Sequence, residues 1–158
     1  MIIKVTWGTG EGSTVKSAFD RALADAGIAN YNIIRLSSVI PPGTEVILEK
    51  NKMNEAEHGH RLYAVVSESY QSIPGGKAVA GLGWVTSNND RGMGIFVEQS
   101  GTDQNEVEDI IRKSIENMRS YRPEEHGDIK AKTAEAVCKD KIACALVVAM
   151  YKTEGWDD

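Results

Sequence analysis

Between Asn32 and Gly43 the chain reads NIIRLSSVIPPG, and its adjacent prolines restrict the fold more than any other feature. Proline has no backbone N–H and holds φ near about −65°, so a paired strand does not run on through it. The extended stretch Tyr31–Ser38, YNIIRLSS, must therefore give way to a different path by Pro41 and Pro42. Two serines, Ser37 and Ser38, stand side by side where that stretch ends.

The rest of the chain reads as short elements around this point. Residues 2–7, IIKVTW, predict a first strand, and GTGEGS over Gly8–Ser13 a loop. Val15, Phe19, Ala22, Leu23 and Ala26 then recur at helical spacing, with Ser13 or Thr14 to cap the helix and Gly27 to stop it. Strands follow over Glu45–Lys50, 61–69, 77–87 and 92–100, the last two around the turn NNDRG. Val107, Ile110, Ile111, Ile115 and Met118 form one apolar stripe, predicting a second helix over Asp103–Tyr121 capped by Thr102. GDIKAKTAEAVC and KIACALVVAMYK predict a closing hairpin, and TEGWDD a frayed tail. Two helices and six to eight mainly antiparallel strands predict an α/β layered domain, a sheet sandwich with both helices outside. With 158 residues and no repeat or linker, residues 1–158 read as one domain.

Composition narrows the partners. The net charge is −5 and no basic stripe stands out, which argues against nucleic acid. The start MIIKVTWGTG is not patterned as a signal peptide, and the longest apolar run, Ile142–Tyr151, falls short of the roughly 20 residues of a membrane helix. A cytoplasmic protein with no membrane partner is the expectation. In that setting Cys138 and Cys144 read as reduced, buried thiols. His58 and His60 in HGH, and His126, bring too few ligands together for a metal site.

Four positions carry possible chemistry. GTGEGS lacks the Lys-Ser/Thr ending of a phosphate loop and the spacing of a dinucleotide fingerprint. The serine pair is different. The Ser38 hydroxyl can attack the carbonyl of Ser37 and convert that amide to an ester. Elimination then cuts the chain and leaves a dehydroalanine, which hydrolyses to a pyruvoyl group at the new N-terminus. Glu98 follows the apolar run GIFV; its local sequence reads first as a strand-end acid facing water, and the alternative is a partly desolvated carboxylate that retains a proton. Asp20 flanks the apolar stripe of the first helix, placed to border the core or to meet a cation. Asn32 precedes Ser38 by an even number of residues, which on a continuous strand puts both side chains on one face.

Taken together, GTGEGST, SAFDRALADAGIANYNIIRLSSVIPP, MGIFVEQSG and AEAVCKDKIACALVVAMYK resemble the pyruvoyl-dependent arginine decarboxylases, in family order over nearly the whole chain. Ser17–Pro42 carries most of that specificity, and EKNKMNEAEHGHRLYAVV departs from it as a longer, more polar connection. The resemblance implies a four-layer αββα sandwich with largely antiparallel sheets. It implies cleavage between Ser37 and Ser38, giving a small chain 1–37 and a large chain 38–158. The cofactor would be a covalent pyruvoyl group made from Ser38, with no metal and no pyridoxal phosphate. The substrate would be arginine, decarboxylated through a Schiff base to agmatine for polyamine synthesis. Glu98 would be the proton donor and Asn32 the active-site amide, while Asp20 would meet the guanidinium. The assembly would be a homotrimer or a pair of trimers with sites between protomers. The same chemistry on another amino acid, or an uncleaved binding or scaffold protein, are the alternatives.

Overall fold

The computed structural model describes residues 1–88, 93–123 and 125–157. The NNDRG turn expected at 88–92 falls, apart from Asn88, outside the described residues. Two α-helices, α1 (Val15–Asp25) and α2 (Gln104–Ser120), accompany nine strands among those residues. The strands are β1 (Ile2–Gly12), β2 (Asn32–Arg35), β3 (Val39–Ile40), β4 (Glu45–Leu48), β5 (Arg61–Gln71), β6 (Lys77–Val85), β7 (Gly94–Gly101), β8 (Lys130–Val137) and β9 (Ile142–Glu154).

They form a five-stranded sheet in the order β2-β5-β9-β1-β4 and a four-stranded sheet in the order β3-β7-β6-β8. Among the described residues, only β1·β4 and β2·β5 pair in parallel. The long ladders β1·β9, β5·β9, β6·β7 and β6·β8 are antiparallel. The expected αββα sandwich is present, because three cores stack through the molecule. Ile3, Val5, Val65, Leu82, Phe96 and Val147 belong to the core between the sheets. Ala18, Ala22, Leu62, Leu146 and Val148 pack α1 onto the first sheet. Val79, Val97, Val107, Ile111 and Ile115 pack α2 onto the second.

Strand alternation builds these layers. Along β9, Ala145, Val147 and Ala149 face the other sheet, while Cys144, Leu146 and Val148 face α1. A strand covered on both sides reads as a continuous apolar run, which explains IACALVVAM. Fully burying one such side chain is worth about 1.5–3 kcal/mol.

The GTGEGS segment is not the loop its glycines suggested. β1 continues through it to Gly12 and stays paired with β9 as far as Gly12↔Ile142. Gly8, Gly10 and Gly12 lie under α1, where a Cβ would stand 2.3 Å from the Ala22 carbonyl oxygen, 2.5 Å from the Ala22 nitrogen and 2.3 Å from the Ser17 hydroxyl. These glycines let helix and strand backbones touch. Thr14 caps α1, in a reciprocal pair with Ser17. Gly27, at φ 76°, ends it in a Schellman turn: Ile28 N–H donates to Leu23 C=O at 2.9 Å and Gly27 N–H to Ala24 C=O at 3.1 Å.

Other expectations change. Asp103, not Thr102, caps α2, its carboxylate accepting from Glu106 N–H at 2.9 Å. Part of the tail is anchored rather than frayed: β9 runs to Glu154, and the Trp156 indole N–H donates to Gly59 C=O at 2.9 Å. The Arg61 guanidinium lies 4.9 Å from the Trp156 ring centroid. Cys138 and Cys144 are free and buried, as expected, and burial pushes the Cys144 thiol up to about 12.

Gly8→Ala tests the close β1–α1 approach. The added methyl overpacks a rigid backbone contact, so unfolding free energy should fall by about 1–3 kcal/mol in urea denaturation. An unchanged midpoint would show that α1 moves away freely.

Candidate active site

The stretch expected as one strand over Tyr31–Ser38 is divided. β2 pairs in parallel with β5 from Asn32↔Arg61 to Arg35↔Ala64, and Leu36 N–H still donates to Ala64 C=O at 2.9 Å. The chain then leaves that sheet. Phe96 N–H donates to Ser38 C=O at 2.8 Å, and β3 pairs with β7 through Val39↔Ile95 and Ile40↔Gly94. Pro41 ends β3 after two residues, and β4 returns to the first sheet beside β1. Ser37 and Ser38 therefore occupy the crossing between the sheets.

The crossing brings Ser38 to Glu98. The Ser38 hydroxyl donates to a Glu98 carboxylate oxygen at 2.7 Å. A carboxylate accepting from a hydroxyl at this distance is in position to take its proton. Glu98 itself sits on β7, which is tied to β5 across the sandwich. Ser67 and Ser69 hydroxyls donate to Gln99 C=O and Gly101 C=O at 3.0 and 3.2 Å. The Glu98 side chain is exposed, as its local sequence suggests for a strand-end acid, and the alternative of desolvation by the apolar run is not met within one chain. GIFV is buried, but the strand leaves the core where Glu98 begins.

Glu98 opens on a groove lined also by Arg35, Glu68 and Gln99. Arg35 grips Glu68 with one guanidinium nitrogen, at 2.9 and 3.0 Å from its two carboxylate oxygens. Tyr70 donates to the same carboxylate at 3.1 Å. Burial and the Glu68 charge push the Tyr70 phenol above its usual range.

Asn32 and Asp20 are not brought to this pair. Asn32 starts β2, and the even-spacing argument fails because the strand breaks before Ser38. Leu36, at the far end of the paired stretch, is four residues on, or about 13 Å at roughly 3.3 Å per residue. The Asn32 side-chain amide donates to Gly59 C=O at 2.7 Å, the carbonyl that also accepts from Trp156. Asp20 is exposed on α1, in a groove with Thr9, Glu11, Glu135, Lys139 and Lys141. Among the described residues, no group of three or more His, Cys, Asp or Glu is arranged to hold a metal ion.

One residue near the crossing escaped the sequence reading. Tyr151 on β9 donates its hydroxyl to Val39 C=O at 2.7 Å, from the opposite sheet. Its ring stacks at a tilt on Phe96, with centroids 6.1 Å apart. Burial, then the Glu98 charge, pushes its phenol well above the usual tyrosine range. The available signal was parity: Tyr151 shares the face of Ala145, Val147 and Ala149 on β9.

Residues 2–155 match the family described as pyruvoyl-dependent arginine decarboxylase. A pyruvoyl-dependent arginine decarboxylase of Thermococcus kodakarensis is 37% identical over 143 residues, covering 90% of this chain and 88% of its own. Those of Halobacterium salinarum and Pyrococcus abyssi are 34% identical over 152 residues and 36% over 141. They cover 94% and 89% of this chain, and 92% and 87% of their own. The chain belongs to the pyruvoyl-dependent arginine decarboxylase family.

The Tyr151 environment has a direct readout. Ultraviolet titration of parent and Tyr151→Phe should differ by a phenol that stays protonated well past about 10, the ordinary tyrosine value. A difference titrating at that ordinary value would mean Tyr151 is not buried against Glu98.

Proposed function

We propose that this chain cleaves itself between Ser37 and Ser38 and then decarboxylates arginine to agmatine. The observation that carries the reading is the 2.7 Å hydrogen bond from Ser38 to Glu98 at the crossing between sheets. The residues fit the pyruvoyl group the family implies: Ser38 supplies its carbons, and the groove beside Glu98 opens to solvent for a substrate. When formed, that group supplies an electron sink for the loss of carbon dioxide.

This chain's side chains supply the proton transfers and the orientation. Glu98 takes the Ser38 proton during cleavage. In the processed enzyme it delivers a proton to the carbon that has lost carbon dioxide, a contribution of about 10²–10⁴-fold in rate. Asn32 spends one amide hydrogen on Gly59, which leaves its carbonyl oxygen and second hydrogen for the substrate's polar groups. Asp20 accepts charge-assisted hydrogen bonds from the guanidinium. Asn32 and Asp20 are exposed; Asn32 lies at the opposite end of β2 from the crossing, and Asp20 on α1 borders a different groove. That separation favours sites completed between protomers, in a trimer or a pair of trimers.

A second reading keeps the chemistry and changes the substrate. The polar segment that departs from the family supplies Gly59, the Asn32 partner, so it bears directly on how that amide is held. Decarboxylation rates across basic and acidic amino acids separate the two readings.

Ser38→Ala should remain one intact chain by mass and on a denaturing gel, with no decarboxylase activity. Cleavage persisting in that variant would remove Ser38 as nucleophile. Glu98→Gln should slow both cleavage and turnover by about 100-fold. Asp20→Asn should raise the KM for arginine about tenfold or more and leave cleavage intact. A lost fold in that variant would make Asp20 structural.

A further inference from the structure

We propose that the backbone N–H of Val39 is the oxyanion donor for cleavage of the Ser37–Ser38 bond, and that Tyr151 is the side chain that positions it. This role presupposes the self-cleavage proposed above and assigns the group that receives its negative charge.

The electron flow identifies the atom that needs a donor. Ser38 Oγ bonds to the Ser37 carbonyl carbon while its proton passes to Glu98. The carbonyl π pair moves onto Ser37 O, which becomes the oxyanion. The bond from that carbon to Ser38 N then breaks. The oxygen pair re-forms the carbonyl, and Ser38 N takes the proton back from Glu98. An ester and a free amine result, with no other reactant.

Val39 N–H already donates to Ser37 O at 3.1 Å. This is the distance to the ground-state carbonyl oxygen, and a donor already aimed at that oxygen is placed to stabilise it as it takes on charge. The bond spans two residues and closes a γ-turn on Ser38. Among the described residues no non-glycine residue, Ser38 included, has positive φ, so the turn is the unstrained inverse form. The sheet leaves this donor free for the purpose, since β7 bonds to Ser38 C=O through Phe96 N–H at 2.8 Å. Ser38 C=O and Val39 N–H belong to one peptide unit. Donation into its carbonyl polarises it and strengthens donation from its N–H. The next carbonyl, that of Val39, is held by Tyr151 at 2.7 Å. Tyr151 remains a donor because burial and the Glu98 charge keep its phenol protonated. Val39 is thus fixed on both sides with its N–H directed at the reacting carbonyl. The Asn32 amide of the same chain lies at the other end of β2, where it donates one hydrogen to Gly59 C=O.

Val39→Pro removes the donor. It does so at the first residue of an edge strand, a place where proline is tolerated. Val39→Ala keeps the N–H. Full-length chains are followed by intact mass after synthesis, with and without hydroxylamine, which cuts the ester but not the amide. Val39→Pro should cleave about 100-fold more slowly than Val39→Ala and show no hydroxylamine cut. Tyr151→Phe should slow cleavage about tenfold relative to the parent, with the thermal midpoint little moved. Cleavage of Val39→Pro within about twofold of Val39→Ala, or a hydroxylamine cut between residues 37 and 38 in it, overturns the donor assignment. Should Val39→Pro fail to fold, a chain with an ester oxygen replacing the Val39 N–H decides by its cleavage rate alone. Parental speed in Tyr151→Phe overturns its positioning role. A parent that never cleaves overturns the self-cleavage reading itself, and this assignment with it.

Discussion

Residues 36–41 make a brief excursion from one sheet to the other and back, and the arrangement of the site depends on it. Leu36 still bonds to β5 of the five-stranded sheet, while Ser38 already bonds to β7 of the four-stranded one. Pro41 ends that second pairing after two residues, and β4 returns to lie beside β1. A chain crossing a sandwich must satisfy its polar groups as it leaves each ladder. Here Ser38 C=O and Val39 C=O find partners on opposite sheets, and Ser37 C=O is met by Val39 N–H. The serine pair is thereby held at a place where ordinary strand pairing cannot continue.

The layers around the crossing keep it rigid. Trp84, Phe96 and Tyr151 form a tilted column between the sheets, with centroid separations of 6.2 and 6.1 Å. Ser67 and Ser69 add hydrogen bonds across the same interior. Outside, each helix sits on small residues. α1 lies on Gly8, Gly10 and Gly12, and Ile111 of α2 fills the space over Gly81 and Gly83. Close helix–sheet approach leaves little room for the strands to shift, so Glu98 and Ser38 are set against each other by the whole sandwich. The side chains expected to meet substrate remain on the outside.

Much of this was legible in the chain, for stated physical reasons. The apolar stripes of both helices, the Gly27 stop and the antiparallel strands follow from periodicity and local stereochemistry, and the free cysteines from the expectation of a reducing setting. Ser37, Ser38 and Glu98 stood out through the family resemblance, since local context alone favours a structural serine pair and a water-facing Glu98. The errors also have local causes. Glycines at alternate positions in GTGEGS look like a loop, and only the helix above shows them to be strand residues in close contact. Thr102 and Asp103 are equally able to cap, and backbone geometry selects Asp103. TEGWDD looks solvated until Trp156 finds Gly59 and Arg61.

The sequence by itself determined the layered class, the break at the prolines and the chemistry available at Ser38, because these depend on side-chain period, a missing N–H and the reactivity of a hydroxyl next to an amide. Tertiary structure decided that Glu98 meets Ser38, that Asn32 does not, and that Tyr151 holds the residue after the serines. Those contacts join positions 60 and more than 100 residues apart, from Ser38 to Glu98 and from Val39 to Tyr151. Only the pairing of strands across two sheets brings such distant residues within hydrogen-bonding reach, and no local pattern encodes it.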